Sequence, residues 1–180
     1  MVGNLLDQKI IQVFNKDLTK FYSINSIAKK LNKAYPHINQ KVNALIDEGI
    51  IKKQVFGKSY ICSMNLESDL AIAYLTIDEI QNKQKNTKTL SKKIIDNIKD
   101  IDAKCVFLYQ KKIYAVSETS TKSSDIKTEK SIPLHFIDEE KFKEMIIKTD
   151  FLTNHAIIQN FEYYFSTLKK IWGEIRLRGI

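Results

Sequence analysis

Apolar side chains recur at helical spacing from the start of the chain. Leu5, Leu6, Ile10, Val13 and Phe14 predict a first amphipathic helix that ends near Asn15. Phe21 and Tyr22 read as a short extended piece. Ser23 then stands where an N-cap belongs, ahead of Ile24, Ile27, Ala28 and Leu31, a second short helix with one apolar stripe. Lys29 and Lys30 lie on its other side. Residues 32–35 read as a tight turn. Pro36 suits the first position of a third helix, where its missing N–H is no loss. That helix sets Ile38, Val42, Leu45 and Ile46 on one face and stops at Gly49. Two β-rich runs follow, residues 50–56 and 60–63, around Gly57-Lys58-Ser59, which predicts a hairpin.

From residue 66 to about 81 the pattern is helical again, with Leu70, Ala73, Tyr74, Ile77 and Ile80 in register. Residues 82–88 (NKQKNTK) contain no apolar side chain and read as a linker or a helix–helix junction. Residues 89–101 predict another helix on Leu90, Ile94, Ile95 and Ile98, and residues 103–109 and 112–116 predict strands. The Ser- and Thr-rich stretch 117–130 reads as a mobile loop. Residues 132–137 predict a third strand, and Pro133 near its start suits an edge. Asp138 is placed to cap a helix over 139–148, with acids in its first turn and Lys at its end. Helical stretches over 151–159 and 161–171 complete the pattern, and no internal repeat is present.

Helix, short strand, helix, turn, helix and hairpin within about sixty residues is the order of a winged helix-turn-helix. The fold class predicted is therefore α+β. Residues 1–65 form the winged helix-turn-helix, 66–88 a connecting helix and linker, and 89–180 a small α/β domain.

Composition narrows the possibilities. Of 180 residues 43% are apolar, enough for a sizeable core. No apolar run reaches the roughly 18–20 residues needed to cross a bilayer, and the first nine residues lack the pattern of a secretory signal. Cys62 and Cys105 sit in strand-like runs and read as buried, reduced thiols. A cytoplasmic protein with no membrane partner is expected. The net charge of +8 is unevenly placed: residues 1–66 hold ten Lys against four acids, a surplus of six. Such asymmetry fits either a polyanion-binding region or a lysine-rich solvated surface.

The pattern favours the first. In a helix-turn-helix the second helix of the motif enters the major groove, where its exposed early residues meet base edges. With Ile38, Val42, Leu45 and Ile46 inward, His37, Gln40, Asn43 and Ala44 face outward and Lys41 lies on the flank. Gln and Asn bond adenine bidentately, Ala touches a thymine methyl, and Lys reaches guanine or phosphate. Tyr35 and His37 sit at the positive start of the helix, suited to phosphate or base. The hairpin offers Lys52, Lys53, Gln54 and Lys58, with Lys58 placed for the minor groove or for phosphate. Ser23, Lys29 and Lys30 are candidate phosphate contacts, whereas Lys16, Lys20 and Lys33 read as solvated.

Signals for catalysis are thin. His37, His135 and His155 match no metal spacing, and His135 in its strand reads as structural. Asp100-x-Asp102 has the spacing of a carboxylate pair but lies at a helix end before a strand. Nothing matches a P-loop, a dinucleotide fingerprint or a nucleophile elbow. No catalytic residue, metal or cofactor is expected.

Residues 21–65, through the turn AYPHI, the helix end LIDEGIIKK and the wing VFGKSYICSMN, resemble archaeal winged-helix DNA-binding proteins of the broad transcriptional-regulator class. The resemblance covers about a third of the chain. It implies a recognition helix over 36–48, a wing over 55–60, and double-stranded DNA as partner. More weakly, IPLHFIDEEKFKEMIIKTDFLTNHAIIQNFEYYF is similar to the last strand and helices of the nucleotidyltransferase-like domain carried by some archaeal regulators. Active members of that family have a Gly-Ser turn after the first strand and paired Asp on the next. Here Val106-Phe107-Leu108-Tyr109 runs directly into Lys112-Ile113-Tyr114-Ala115-Val116, with neither feature at the matching places. The resemblance thus implies a degenerate domain kept for sensing a small-molecule or protein effector, for homodimerisation or for partner contact. An active nucleotidyltransferase, and a winged-helix adaptor that binds protein instead of DNA, are the competing readings.

Overall fold

The computed structural model describes residues 5–57, 59–86, 96, 98, 100–118 and 133–178. They form two compact units, the first holding the residues up to Asp78 together with 176–178, the second Glu79–Ile175.

In the first unit, α1 (Leu5–Asn15) buries Ile10, Ile11, Val13 and Phe14. The second helix, α2 (Ile24–Leu31), starts where the Ser23 hydroxyl accepts the Ser26 N–H at 3.1 Å. It ends at Asn32, which takes the left-handed conformation (φ 50°). The third, α3 (Tyr35–Asp47), carries Pro36 in its first turn and buries Ile38, Val42 and Leu45. Gly49 (φ 72°) then turns the chain, and its N–H and that of Ile50 return to the Ile46 and Leu45 carbonyls. Strands β1 (Ile51–Phe56) and β2 (Ser59–Met64) pair antiparallel, with Ile51 opposite Met64 and Val55 opposite Tyr60. Tyr22 adds a one-residue third strand by exchanging two backbone hydrogen bonds with Cys62. The predicted elements up to residue 64 are all present. Of the residues expected on apolar faces, Leu5 is exposed and Leu6, Leu31 and Ile46 are only half-buried.

Helix α4 (Asp69–Asn86) differs from expectation in two ways. It continues through most of the apolar-free stretch that reads as a linker or junction. It also buries Ala71, Leu75, Asp78 and Glu79, and leaves Leu70 and Ile80 46% and 40% exposed. A buried polar pair, Asn15 Nδ2 donating to Asp78 Oδ2 at 2.7 Å, selects this face. The desolvation of Asp78 is offset by a partner 63 residues away in sequence.

The second unit is a four-stranded sheet in the order β5-β4-β3-β6 with helices against it. Strands β3 (Cys105–Tyr109) and β4 (Lys112–Val116) form a hairpin, and β5 (Leu134–Ile137) lies parallel to β4 at one edge. Next come α5 (Glu139–Ile146), capped by Asp138, and α6 (Thr149–Asn154). Strand β6 (His155–Gln159) pairs antiparallel with β3, and α7 (Phe161–Arg178) follows. One face of the sheet packs Val106, Ile113, Ala115, Leu134 and Ile158 with Ile98. On β3, Phe107 meets the rings of Tyr114, Phe142 and Phe151. The continuous helix expected over 151–159 is corrected here: the chain leaves helix at Asn154 and HAIIQ becomes a strand. So short an apolar run does not discriminate helix from strand by period, and the open edge of β3 decides it. The predicted helix at 89–101, apart from its last residues, and the predicted loop at 117–130, apart from 117 and 118, lie outside the described residues.

The β3–β4 turn places Gln110 and Lys111 at φ 48° and 61°. Both central residues left-handed is the type I′ geometry, which favours Asn-Gly and costs other residues about 1 kcal/mol each. Lys111→Gly is therefore expected to stabilise the protein by about 0.5–1 kcal/mol, read as a higher urea midpoint at unchanged m-value.

Candidate nucleic-acid interface

The α2–turn–α3 segment presents one polar face. On α3, Tyr35 is 49% exposed and His37, Gln40 and Ala44 face solvent. Asn43 is half-buried, and its amide donates to Asn39 Oδ1 at 3.2 Å. Lys41 reaches back to α1, where its Nζ lies 3.2 Å from Asp7 Oδ1. Between the two helices lies an open depression of about 320 Å³ lined by Asn25, Ala28, Lys29, Asn32, Lys33, Ala34 and Tyr35. Lys29 of α2 and Lys33 of the turn thus share this depression with Tyr35 at the start of α3. Lys33, which reads as merely solvated in sequence, belongs to this face. It follows the left-handed Asn32 that ends α2, so helical spacing in the sequence does not place it there. Ser23 is half-buried with its hydroxyl engaged as the cap of α2. Lys30 is exposed, its Nζ 5.6 Å from the centre of the Tyr22 ring.

On the hairpin, Lys53 is exposed and its Nζ lies 4.0 Å from the centre of the Tyr60 ring. Lys52 is paired with Glu67 at 2.6 Å. Lys58 lies outside the described residues. Burial raises the Cys62 thiol and pushes that of Cys105 up to about 12, so both remain protonated at neutral pH and act as small core residues. Among the described residues no group of three His, Cys, Asp or Glu is placed to hold a metal ion. Asp100 and Asp102 are exposed, and His135 stacks on Tyr114 with centroids 5.4 Å apart. His155 lies against Phe151, its Nδ1 2.7 Å from that residue's carbonyl. Among the described residues no helix is long and apolar enough to cross a membrane.

Three helices, the short Tyr22 strand and the β1–β2 wing define the first unit as a winged helix-turn-helix. Neither a protein-family model nor a curated protein matches the chain significantly. The crystal structure of MepR, a transcription regulator of the Staphylococcus aureus multidrug efflux pump MepA, is similar to it at 20% identity. That likeness covers 52% of this chain and 70% of that chain, with a TM-score of 0.37.

Proposed function

We propose that this protein is a sequence-specific, double-stranded DNA-binding transcription regulator that acts in the cytoplasm. The observation that carries the proposal is the exposure of Tyr35, His37 and Gln40 on α3, with Tyr35 sharing a depression with Lys29 and Lys33. The first three are suited to base edges and the lysines to phosphates, which is the division of labour in major-groove readout. The surplus of six positive charges in residues 1–66 supports a polyanionic partner. Asn43 completes the reading row, and Ser23, Lys30, Lys53 and Lys58 supply backbone contacts. Lys41, held by Asp7, serves to orient α3 against α1.

For the second unit we propose a non-catalytic role, in keeping with the degenerate nucleotidyltransferase resemblance. Gln110–Lys111 joins β3 to β4 directly, where active members of that family carry their Gly-Ser turn. The unit would sense an effector or hold two copies together.

Selection of bound duplexes from a random pool at two salt concentrations tests the reading. An enriched, palindromic motif with half-sites about one helical turn apart is expected, its binding falling steeply with salt. The same preparation is expected to transfer no labelled nucleotide in the presence of a divalent cation. Salt-sensitive binding without an enriched motif would refute sequence-specific regulation, and absence of binding would favour the protein adaptor.

A further inference from the structure

The wing carries an apolar feature that phosphate contact does not explain. Ile51, Lys53 and Val55 of β1 alternate onto one side of the hairpin, opposite Met64, Cys62 and Tyr60 of β2. At the base this side covers the helical core, and Ile51, Cys62 and Met64 are at most 2% exposed. At the tip the same side is uncovered: Val55 is 70% exposed and Tyr60, its direct cross-strand partner, 52%. Lys53 stands over the Tyr60 ring. From residue 49 to 66 the sequence holds three Lys and no acid. An apolar pair near the end of a narrow two-stranded ribbon, with the Lys53 ammonium over the Tyr60 ring, is complementary to a polyanion with an apolar interior.

Resting on the DNA-binding reading above, we propose that Val55 and Tyr60 form a wedge. The pair enters the minor groove and partly unstacks a base step, while Lys53 moves from the Tyr60 ring to a flanking phosphate. Apolar wedges of this kind kink duplexes by about 20–90°, and pyrimidine–purine steps yield most easily. The wing then contributes specificity through deformability as well as affinity through charge.

The test uses the full chain and a duplex carrying the selected site, with fluorophores at both ends and 2-aminopurine at the pyrimidine–purine step beneath the wing. Binding is expected to bring the ends closer and to raise 2-aminopurine emission. Tyr60→Ala and Val55→Ser should abolish both signals and weaken binding roughly tenfold, the loss of one stacking contact. Their salt slope should be unchanged, because no phosphate contact is removed. Tyr60→Phe should behave as wild type. Both side chains are exposed, so circular dichroism should show the fold intact. A wild-type complex that leaves the duplex straight, with Tyr60→Ala binding equally well, overturns the wedge and leaves the proposed function standing. No binding by the wild type overturns both. Loss of self-association in Tyr60→Ala, with DNA affinity intact, assigns the pair to an interface between copies and overturns the wedge.

Discussion

Replacing Lys29, Lys33 and Lys53 together by Ala is expected to weaken duplex binding by about 10²–10³-fold at 0.1 M salt, whatever the sequence of the duplex. Each lysine that neutralises a phosphate releases a counterion, so log affinity falls against log salt with a slope of about −0.9 per contact. Three lost contacts should flatten that slope by roughly 2.7. All three side chains are exposed, so the variant should fold normally. Gln40→Ala should behave differently: a loss of about 1–3 kcal/mol on the selected site, relaxed preference at one base pair and an unchanged salt slope. Titrations at four salt concentrations on specific and scrambled duplexes separate the two classes. A triple variant with wild-type slope would remove this face from the interface.

Phe107→Ala is expected to destabilise the second unit by about 3–5 kcal/mol. Phe107 is fully buried on β3, an inner strand of the sheet. Its ring stacks on Tyr114 at 5.2 Å and meets Phe142 at 5.4 Å and Phe151 edge-on at 5.3 Å. These partners come from β4, α5 and α6, so truncation leaves a cavity walled by three rigid elements that cannot all collapse into it. Each aromatic contact adds about 0.5–1.5 kcal/mol beyond area burial. Against a total of about 5–15 kcal/mol for ordinary domains, the loss is a large fraction. Trp172, the chain's one tryptophan, lies in α7 and reports the unfolding of this unit in urea. A loss below about 1 kcal/mol would mean that the aromatic cluster repacks around the gap.

The winged helix was legible because its signals are local. Ser23 satisfies an N–H three residues on, Pro36 opens a helix with a preset φ, and Gly49 and Gly57 turn the chain at positive φ. Apolar spacing alone set Ile38, Val42 and Leu45 inward, which leaves Tyr35, His37 and Gln40 outside by geometry. Lys41 and Lys33 were not legible in this way. One is held by an acid 34 residues earlier and the other shares a depression with the start of α3, and both depend on how helices cross.

The second unit separates the two kinds of information further. Strands over 103–109 and 112–116 were expected and became β3 and β4, and acids before Lys predicted α5 behind Asp138. HAIIQ, by contrast, has an apolar run that suits either state. It is a strand because β3 offers an unpaired edge whose N–H and C=O groups must be satisfied. In α4 the apolar stripe on Leu70 and Ile80 is the stronger pattern in sequence, yet the helix turns Ala71, Leu75 and Asp78 inward. The buried Asn15–Asp78 hydrogen bond decides that orientation. What the amino-acid sequence determined by itself was every feature whose energy lies within one helical turn or one tight turn: caps, periods and turn residues. What only the tertiary structure decided was which face each element buries and which cations remain for a partner. Those choices rest on desolvating polar groups and pairing edges across tens of residues, where no local pattern carries the energy.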